Sequence, residues 1–271
     1  MSPQPSSASI QRWYPKQWSE IVGNARMTDT WKGFIKNGPC NAMFTGPSRS
    51  GKTRTITLGI RALLCTNRTP DLDPCLRCST CRALGEGRSE HSGVFAALAG
   101  SEYSFHTIDC ETITAEELAV LRYDDHLERE KTLVYLDEVG ALCSRRLEGK
   151  LLKMIDESPA VWIASAVRLG RTKGTRKGEW KEGLSEAMKG RFPIKVGTSH
   201  PHLSDLHSWI VARSAEWNIT ILNAEQTIPE MMKRTRQRVG YLIHMFAEAA
   251  TRCDRTIDLA RVDRFNLDSV D

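Results

Sequence analysis

Residues 46–53 read Gly46-Pro47-Ser48-Arg49-Ser50-Gly51-Lys52-Thr53, a G-x-x-x-x-G-K-[ST] pattern. Nothing else in the chain limits the fold as tightly. Just before it, Asn41-Ala42-Met43-Phe44 is a short apolar run suited to a buried strand. Just after it, apolar residues recur at helical spacing from Thr53 to Leu64. Strand, glycine loop and helix together point backbone N–H groups and a helix N-terminus at bound phosphates. Gly46 and Gly51 let the chain turn without a side chain in the way. In such a loop Lys52 reaches the β- and γ-phosphates and the Thr53 hydroxyl holds Mg²⁺. Pro47, Ser48, Arg49, Ser50 and the following Arg54 complete the expected nucleotide contacts. The alternative, a loop that is merely glycine-rich, leaves the flanking strand and helix unexplained.

The same sheet should carry a second functional strand. Leu133-Val134-Tyr135-Leu136-Asp137-Glu138 is an apolar run ending in two carboxylates. Such a run fits a central parallel strand buried on both faces. Acids at its C-terminal end sit where ligands bind in such sheets. Asp137 is expected to hold Mg²⁺, and Glu138 to orient and polarise the water that attacks a γ-phosphate. A solvated acidic pair after a core strand is the alternative. Phe105–Cys110 and Val161–Ala166 read as further strands, and Thr114-Ala-Glu-Glu117 as a capping box opening a helix.

The chain has eight cysteines. Cys65 is followed by Cys75, Cys78 and Cys81, two C-x-x-C steps that share Cys78 plus one upstream thiol. In a reducing compartment clustered cysteines suggest metal before disulfides. Four thiolates at this spacing suit tetrahedral Zn²⁺, and with every position filled by protein the ion is expected to be structural. Free or buried thiols are the alternative.

With 271 residues, 40% hydrophobic and 26% charged, the chain has the length and balance of one large or two ordinary globular domains. No apolar run approaches the roughly 20 residues of a membrane span. The polar N-terminus lacks the apolar core of a signal peptide, so a cytoplasmic protein with a disordered tail over 1–9 is expected. A net charge of +5 permits nucleic-acid binding without requiring it. The basic charge is concentrated at Arg171, Lys173, Arg176 and Lys177, beside Trp180. Basic, glycine-rich loops with a stackable ring suit nucleic-acid backbones; solvated surface is the plainer reading.

Several stretches resemble AAA+ clamp-loader ATPases, most closely the bacterial DNA polymerase III gamma/tau subunit. They are Trp13-Tyr14-Pro15-Lys16 leading to Ile21-Val22-Gly23, the phosphate loop, the cysteine module through Cys81-Arg-Ala-Leu-Gly-Glu-Gly-Arg88, Leu151-Leu152-Lys153 with its exit at Pro159, and Thr256–Val262. The resemblance implies that Tyr14, Val22 and Gly23 line the adenine pocket. It implies a polar residue called sensor 1 at the end of 161–166, met by Ser165, with Ala166 at that position in another register. Lys189-Gly190-Arg191-Phe192 falls where the family has Ser-Arg-Cys, which makes Arg191 the finger that enters a neighbouring subunit's ATP site. Arg238, with Arg236 as its competitor, would be the sensor 2 arginine. The family's loop is shorter where residues 168–191 run here.

The expected architecture is an α/β AAA+ nucleotide domain over 10–199, with a parallel sheet and a zinc module at 65–88, then an all-helical lid over 200–271. Gly-Thr-Ser-His-Pro201 marks the boundary. The chain stops where the family continues into a helical collar, so no collar is expected. The implied function is ATP hydrolysis coupled to assembling a replication complex. Its cofactors would be ATP, Mg²⁺ and Zn²⁺; its partners DNA, other copies or related subunits in a ring, and a sliding clamp. A stand-alone regulator of helicase loading or transposition, and a nucleotide-binding scaffold without turnover, are the competing readings.

Overall fold

The computed structural model describes residues 14–85, 96–97, 101–125, 127–129, 131–144, 146–167, 172–173, 180–181, 184–252 and 254–267. After a 3₁₀ turn at Trp18–Glu20 the elements are α1 (Ala25–Asn37), β1 (Ala42–Thr45), α2 (Lys52–Leu64), α3 (Ser79–Gly85), β2 (Ala96–Ala97), β3 (Ser104–Asp109), α4 (Ala115–Leu121), β4 (Thr132–Asp137), α5 (Ala141–Ser144), α6 (Glu148–Glu157), β5 (Val161–Ala166), β6 (Thr172–Lys173), β7 (Trp180–Lys181), α7 (Glu186–Gly190), β8 (Ile194–Gly197), α8 (Leu203–Glu216), β9 (Thr220–Ile221), α9 (Ala224–Arg234), α10 (Val239–Ala250), β10 (Thr256–Ile257) and α11 (Leu259–Arg264). They form two compact units. One comprises Arg26–Pro47 and Thr55–Thr198. The other comprises Met1–Ala25, Ser48–Arg54 and Ser199–Asp271. No helix among the described residues is long and apolar enough to cross a membrane.

The first unit is built on one sheet in the order β2-β3-β4-β5-β1-β8, parallel throughout except for the antiparallel edge strand β2. β4 and β5 are buried almost end to end, as their continuous apolar runs require of strands covered on both faces. The strand expected over 133–138 ends at Asp137, because Glu138 turns into the left-handed region at φ 50°. Val134, Leu136, Trp162 and Ala164 from the sheet, and Leu118, Leu151 and Met154 from α4 and α6, fill one core. Helix boundaries follow local chemistry. Thr114 and Glu117 close the expected capping box on α4. Gly38, at φ 90°, ends α1 and donates its N–H to Phe34 O at 2.9 Å. Gly59 lets α1 approach α2: a Cβ there would lie 2.1 Å from the Trp31 ring, which stacks on Phe44 at 5.6 Å.

The second unit is mainly helical, but the stretch 200–271 is not the all-helical one expected, because Thr220–Ile221 and Thr256–Ile257 pair as strands. α10 buries Tyr241, Leu242, Ile243, Met245, Phe246, Ala247 and Ala249, too many faces for a surface helix, so it forms the centre. Trp209 of α8 and Trp217 meet Phe246 edge-on at 6.3 and 5.2 Å. The short parallel pair β9–β10 closes one side. Tyr14 and Val22 pack against this core, and Glu20 O accepts the Trp209 indole N–H at 3.3 Å.

Candidate functional site

The phosphate loop occupies the turn from β1 to α2, and Lys52, buried, is the first residue of that helix. Its two ends are shaped by contacts within different units. In the α/β unit, Gly46 N–H donates to Ala166 O at 3.1 Å, and Thr198 N–H donates to Thr45 O at 2.6 Å. A Cβ on Gly46 would sit 1.8 Å from Thr198 Oγ1, so only glycine fits there.

In the helical unit, the loop residues Ser48–Arg54 are gripped from several sides. Arg49 and Gly51 are both left-handed, at φ 63° and 83°. Asn24, itself left-handed and 2% exposed, donates from Nδ2 to Ser50 O at 3.0 Å and accepts the Ser199 N–H at 3.3 Å. Gly240, in the first turn of α10, donates its N–H to Arg49 O at 3.0 Å. One turn on, His244 Nε2 pairs with the Arg49 guanidinium at 3.1 Å. Burial, and then the Arg49 charge, hold His244 below its ordinary pKa, so the neutral ring accepts from the guanidinium. Tyr14 lies under the Arg54 guanidinium, 3.5 Å from its carbon to the ring centroid. Gly23, at φ 71°, has Pro201 N and Ser199 O about its Cβ position at 3.0 and 3.1 Å. Arg238 is the N-cap residue of α10, with a buried Nε that has no hydrogen-bond partner among the described residues. Arg236 is exposed and left-handed at φ 52°.

Two expected outcomes follow from this grip. Gly240→Ala puts a methyl 2.9 Å from Arg49 Cβ and 3.0 Å from Arg49 O. Arg49 holds a left-handed conformation and has little room to yield, so stability should fall by about 1–3 kcal/mol. Thermal melting will show the loss. The His244 contact also has a pH sign. A depressed histidine pKa means the unfolded chain takes up the proton first as pH falls. The contribution is complete above the ordinary value of 6.5 and drops progressively below it. His244→Gln should flatten that part of the stability–pH curve.

The carboxylate pair belongs to the α/β unit. Asp137 ends β4, and its Oδ1 accepts two hydroxyl donors: Tyr135 at 2.7 Å and Ser165, on the neighbouring β5, at 2.6 Å. Ser165 Oγ in turn accepts the Glu138 N–H at 2.9 Å, and Ser165 O accepts the Val139 N–H at 2.8 Å. Glu138 thus leaves the sheet in a backbone conformation that costs a non-glycine residue energy and recurs at functional sites. The Tyr135 phenol, fully buried beside the Asp137 charge, is pushed well above its usual pKa and stays protonated.

Arg191 follows α7 and forms a fork with Asp156 on α6, Nε to Oδ1 at 2.9 Å and Nη2 to Oδ2 at 2.7 Å. Its third nitrogen donates to Ala187 O at 3.0 Å. The Arg191 hydrogen bonds hold the Asp156 carboxyl below its usual pKa.

Cys65, Cys75, Cys78 and Cys81 converge, all four sulfurs lying within 4.8 Å of one another. They fit a metal by their surroundings as well as their spacing. Asn67 and Cys75 N–H donate to Cys65 Sγ at 3.4 and 3.3 Å, Cys78 N–H to Cys75 Sγ at 3.3 Å, and Cys81 N–H to Cys78 Sγ at 3.4 Å. Burial raises the Cys65 and Cys81 thiols; at Cys78 the burial effect is outweighed by the Cys81 and Thr66 contacts, which bring it down to about 6. Arg68 locks the module to the end of α2 by donating to Ala62, Leu63 and Cys65 O at 3.3, 2.9 and 2.9 Å, a cation at a helix C-terminus.

Arg171, Arg176 and Lys177 lie outside the described residues, as do positions 86–88 of the cysteine module. Lys173 is placed only as part of β6, which pairs antiparallel with β7. Sequence reasoning missed Asn24, Gly240, His244, Tyr135 and Asp156. Only Asn24 carried a signal, standing directly after Ile-Val-Gly and suited to a left-handed turn.

No protein-family model matches the chain, and no curated protein does. Solved structures do. A single-residue variant of Thermotoga maritima RuvB matches with a TM-score of 0.57 at 16% identity, over 93% of this chain and 71% of that one. A second variant gives 0.54 at 18%, over 96% and 71%. The structure titled Thermotoga maritima RuvB Holliday junction branch migration motor gives 0.52 at 16%, over 96% and 71%. At this identity the likeness shows architecture alone: the chain shares the fold of these RuvB structures.

Proposed function

We propose that the chain is an ATP-hydrolysing AAA+ protein of the clamp-loader type, coupling turnover to assembly of a replication complex on DNA. The observation that carries this reading is the phosphate loop between β1 and α2 in a chain whose β4 ends at Asp137, with Glu138 directly after it. Lys52 and the loop amides bind the phosphates, and Thr53 and Asp137 hold Mg²⁺. The ion neutralises charge on the phosphates when bound. Glu138 orients and deprotonates the attacking water. Tyr14, Val22 and Gly23 line the base pocket, and Arg54 and Arg238 contact the nucleotide. Arg191 serves the site of the next copy, so turnover requires assembly. Its fork with Asp156 sets the guanidinium's position until that encounter.

Zinc in the four-cysteine module favours the gamma/tau-like branch over a stand-alone regulator. Arg171, Lys173, Arg176 and Lys177 contribute to DNA contact. The test is steady-state phosphate release with primed DNA, a sliding clamp, both or neither. Stimulation by both together supports clamp loading. Stimulation by DNA alone supports the regulator of helicase loading or transposition. Tight nucleotide binding without turnover in any mixture supports a scaffold. Arg191→Ala should stop turnover without weakening binding, and activity should return in part when it is mixed with Glu138→Gln chains, since each supplies what the other lacks.

A further inference from the structure

We infer that Tyr135 is a positioning residue for the metal-binding carboxylate, acting with Ser165 through a single oxygen of Asp137. The inference rests on the ATPase reading above. Tyr135 and Asp137 lie two positions apart on β4, so their side chains share a face of the sheet. An ionised carboxylate only accepts, so both hydroxyls must donate to Oδ1, Tyr135 at 2.7 Å and Ser165 at 2.6 Å. The Ser165 proton is thereby committed. What its oxygen offers the Glu138 N–H at 2.9 Å is a lone pair. Ser165, 0% exposed, therefore has no donor left for a γ-phosphate and works through its two neighbours.

Two consequences follow. Oδ1 is occupied from two directions, which fixes the plane of the carboxylate. The same chain of contacts, Tyr135 to Asp137 to Ser165 to Glu138 N–H, pins the left-handed backbone at Glu138. Metal ligand and water-activating acid are held by one pair of hydroxyls. A phenylalanine would fill the Tyr135 site equally well. The hydroxyl contributes orientation, the part that partners of metal ligands commonly play.

The test compares Tyr135→Phe, Ser165→Ala and wild type by titrating a fluorescent ATP analogue with Mg²⁺. Half-saturating Mg²⁺ should rise about ten-fold or more in each variant, while binding in EDTA stays at the wild-type value. A second readout needs neither metal nor nucleotide: in Ser165→Ala the Glu138 amide should exchange with solvent faster, and Ser165→Thr should restore protection. A folded Tyr135→Phe protein with the wild-type Mg²⁺ curve overturns the inference. A wild-type chain that binds no nucleotide at any Mg²⁺ concentration overturns the ATPase reading on which it stands.

Discussion

Glu138→Gln should cut phosphate release at least about a hundred-fold while leaving nucleotide binding intact, the range expected when a general base is lost. The substitution keeps the side chain's volume and length. It also keeps the backbone N–H that Ser165 Oγ accepts at 2.9 Å, so the left-handed turn at φ 50° survives. What it removes is the proton-accepting carboxylate. Phosphate release and nucleotide titration on one preparation separate the two effects. Equal turnover in variant and wild type would take Glu138 out of the chemistry. A parallel loss of binding would show that it supports the fold instead.

Removing metal from the cysteine module should be the larger structural event. Four sulfurs within 4.8 Å of one another, three of them accepting backbone N–H groups, make a site for thiolates rather than for packing. A tetrahedral zinc about 2.3 Å from each sulfur fits that span. The segment from Cys65 to Gly85 has little regular secondary structure. It holds one short helix, α3, tied to α2 by the Arg61 donation to Leu84 O at 3.1 Å and by Arg68 at the helix end. Ligand binding is then local folding energy. The purified chain should carry about one zinc, which a chromogenic chelator titrates after denaturation. Cys78→Ser should lower the zinc content sharply and expose residues 65–85 to protease. Metal-free protein with an unchanged melting temperature and an intact segment would leave the four residues as ordinary thiols.

The parts of this account legible in the sequence are those whose residues are neighbours in the chain. The phosphate loop, the run ending in Asp137-Glu138, the two C-x-x-C steps and the Thr114–Glu117 box each carry their chemistry within a few positions. Apolar runs located β1, β3, β4 and β5, and helical spacing most helices, for the same reason; β2 and β8, two and four residues long, left no such run. Contacts that join distant residues left no local trace. Arg49 and His244 are 195 positions apart, and Asn24 and Ser50 are 26 apart. Asp156, which holds Arg191, lies 35 positions before it on another helix. Tyr135 read as one more apolar residue in a core strand, since periodicity cannot see which way a hydroxyl points. The resemblance points to Ser165, the polar residue at the end of its strand, but its partners depend on β5 lying next to β4. The end of β4 at Asp137 was one residue early because burial patterns do not reveal a left-handed backbone.

The most direct test of the central claim is equilibrium binding of ATP with Mg²⁺ to the purified chain, followed by phosphate release, for wild type and Lys52→Ala side by side. Wild type should bind and turn over, with DNA present if assembly requires it, and Lys52→Ala should lose both. Wild type that binds no ATP, or a Lys52→Ala chain that binds and hydrolyses it like wild type, would contradict the account.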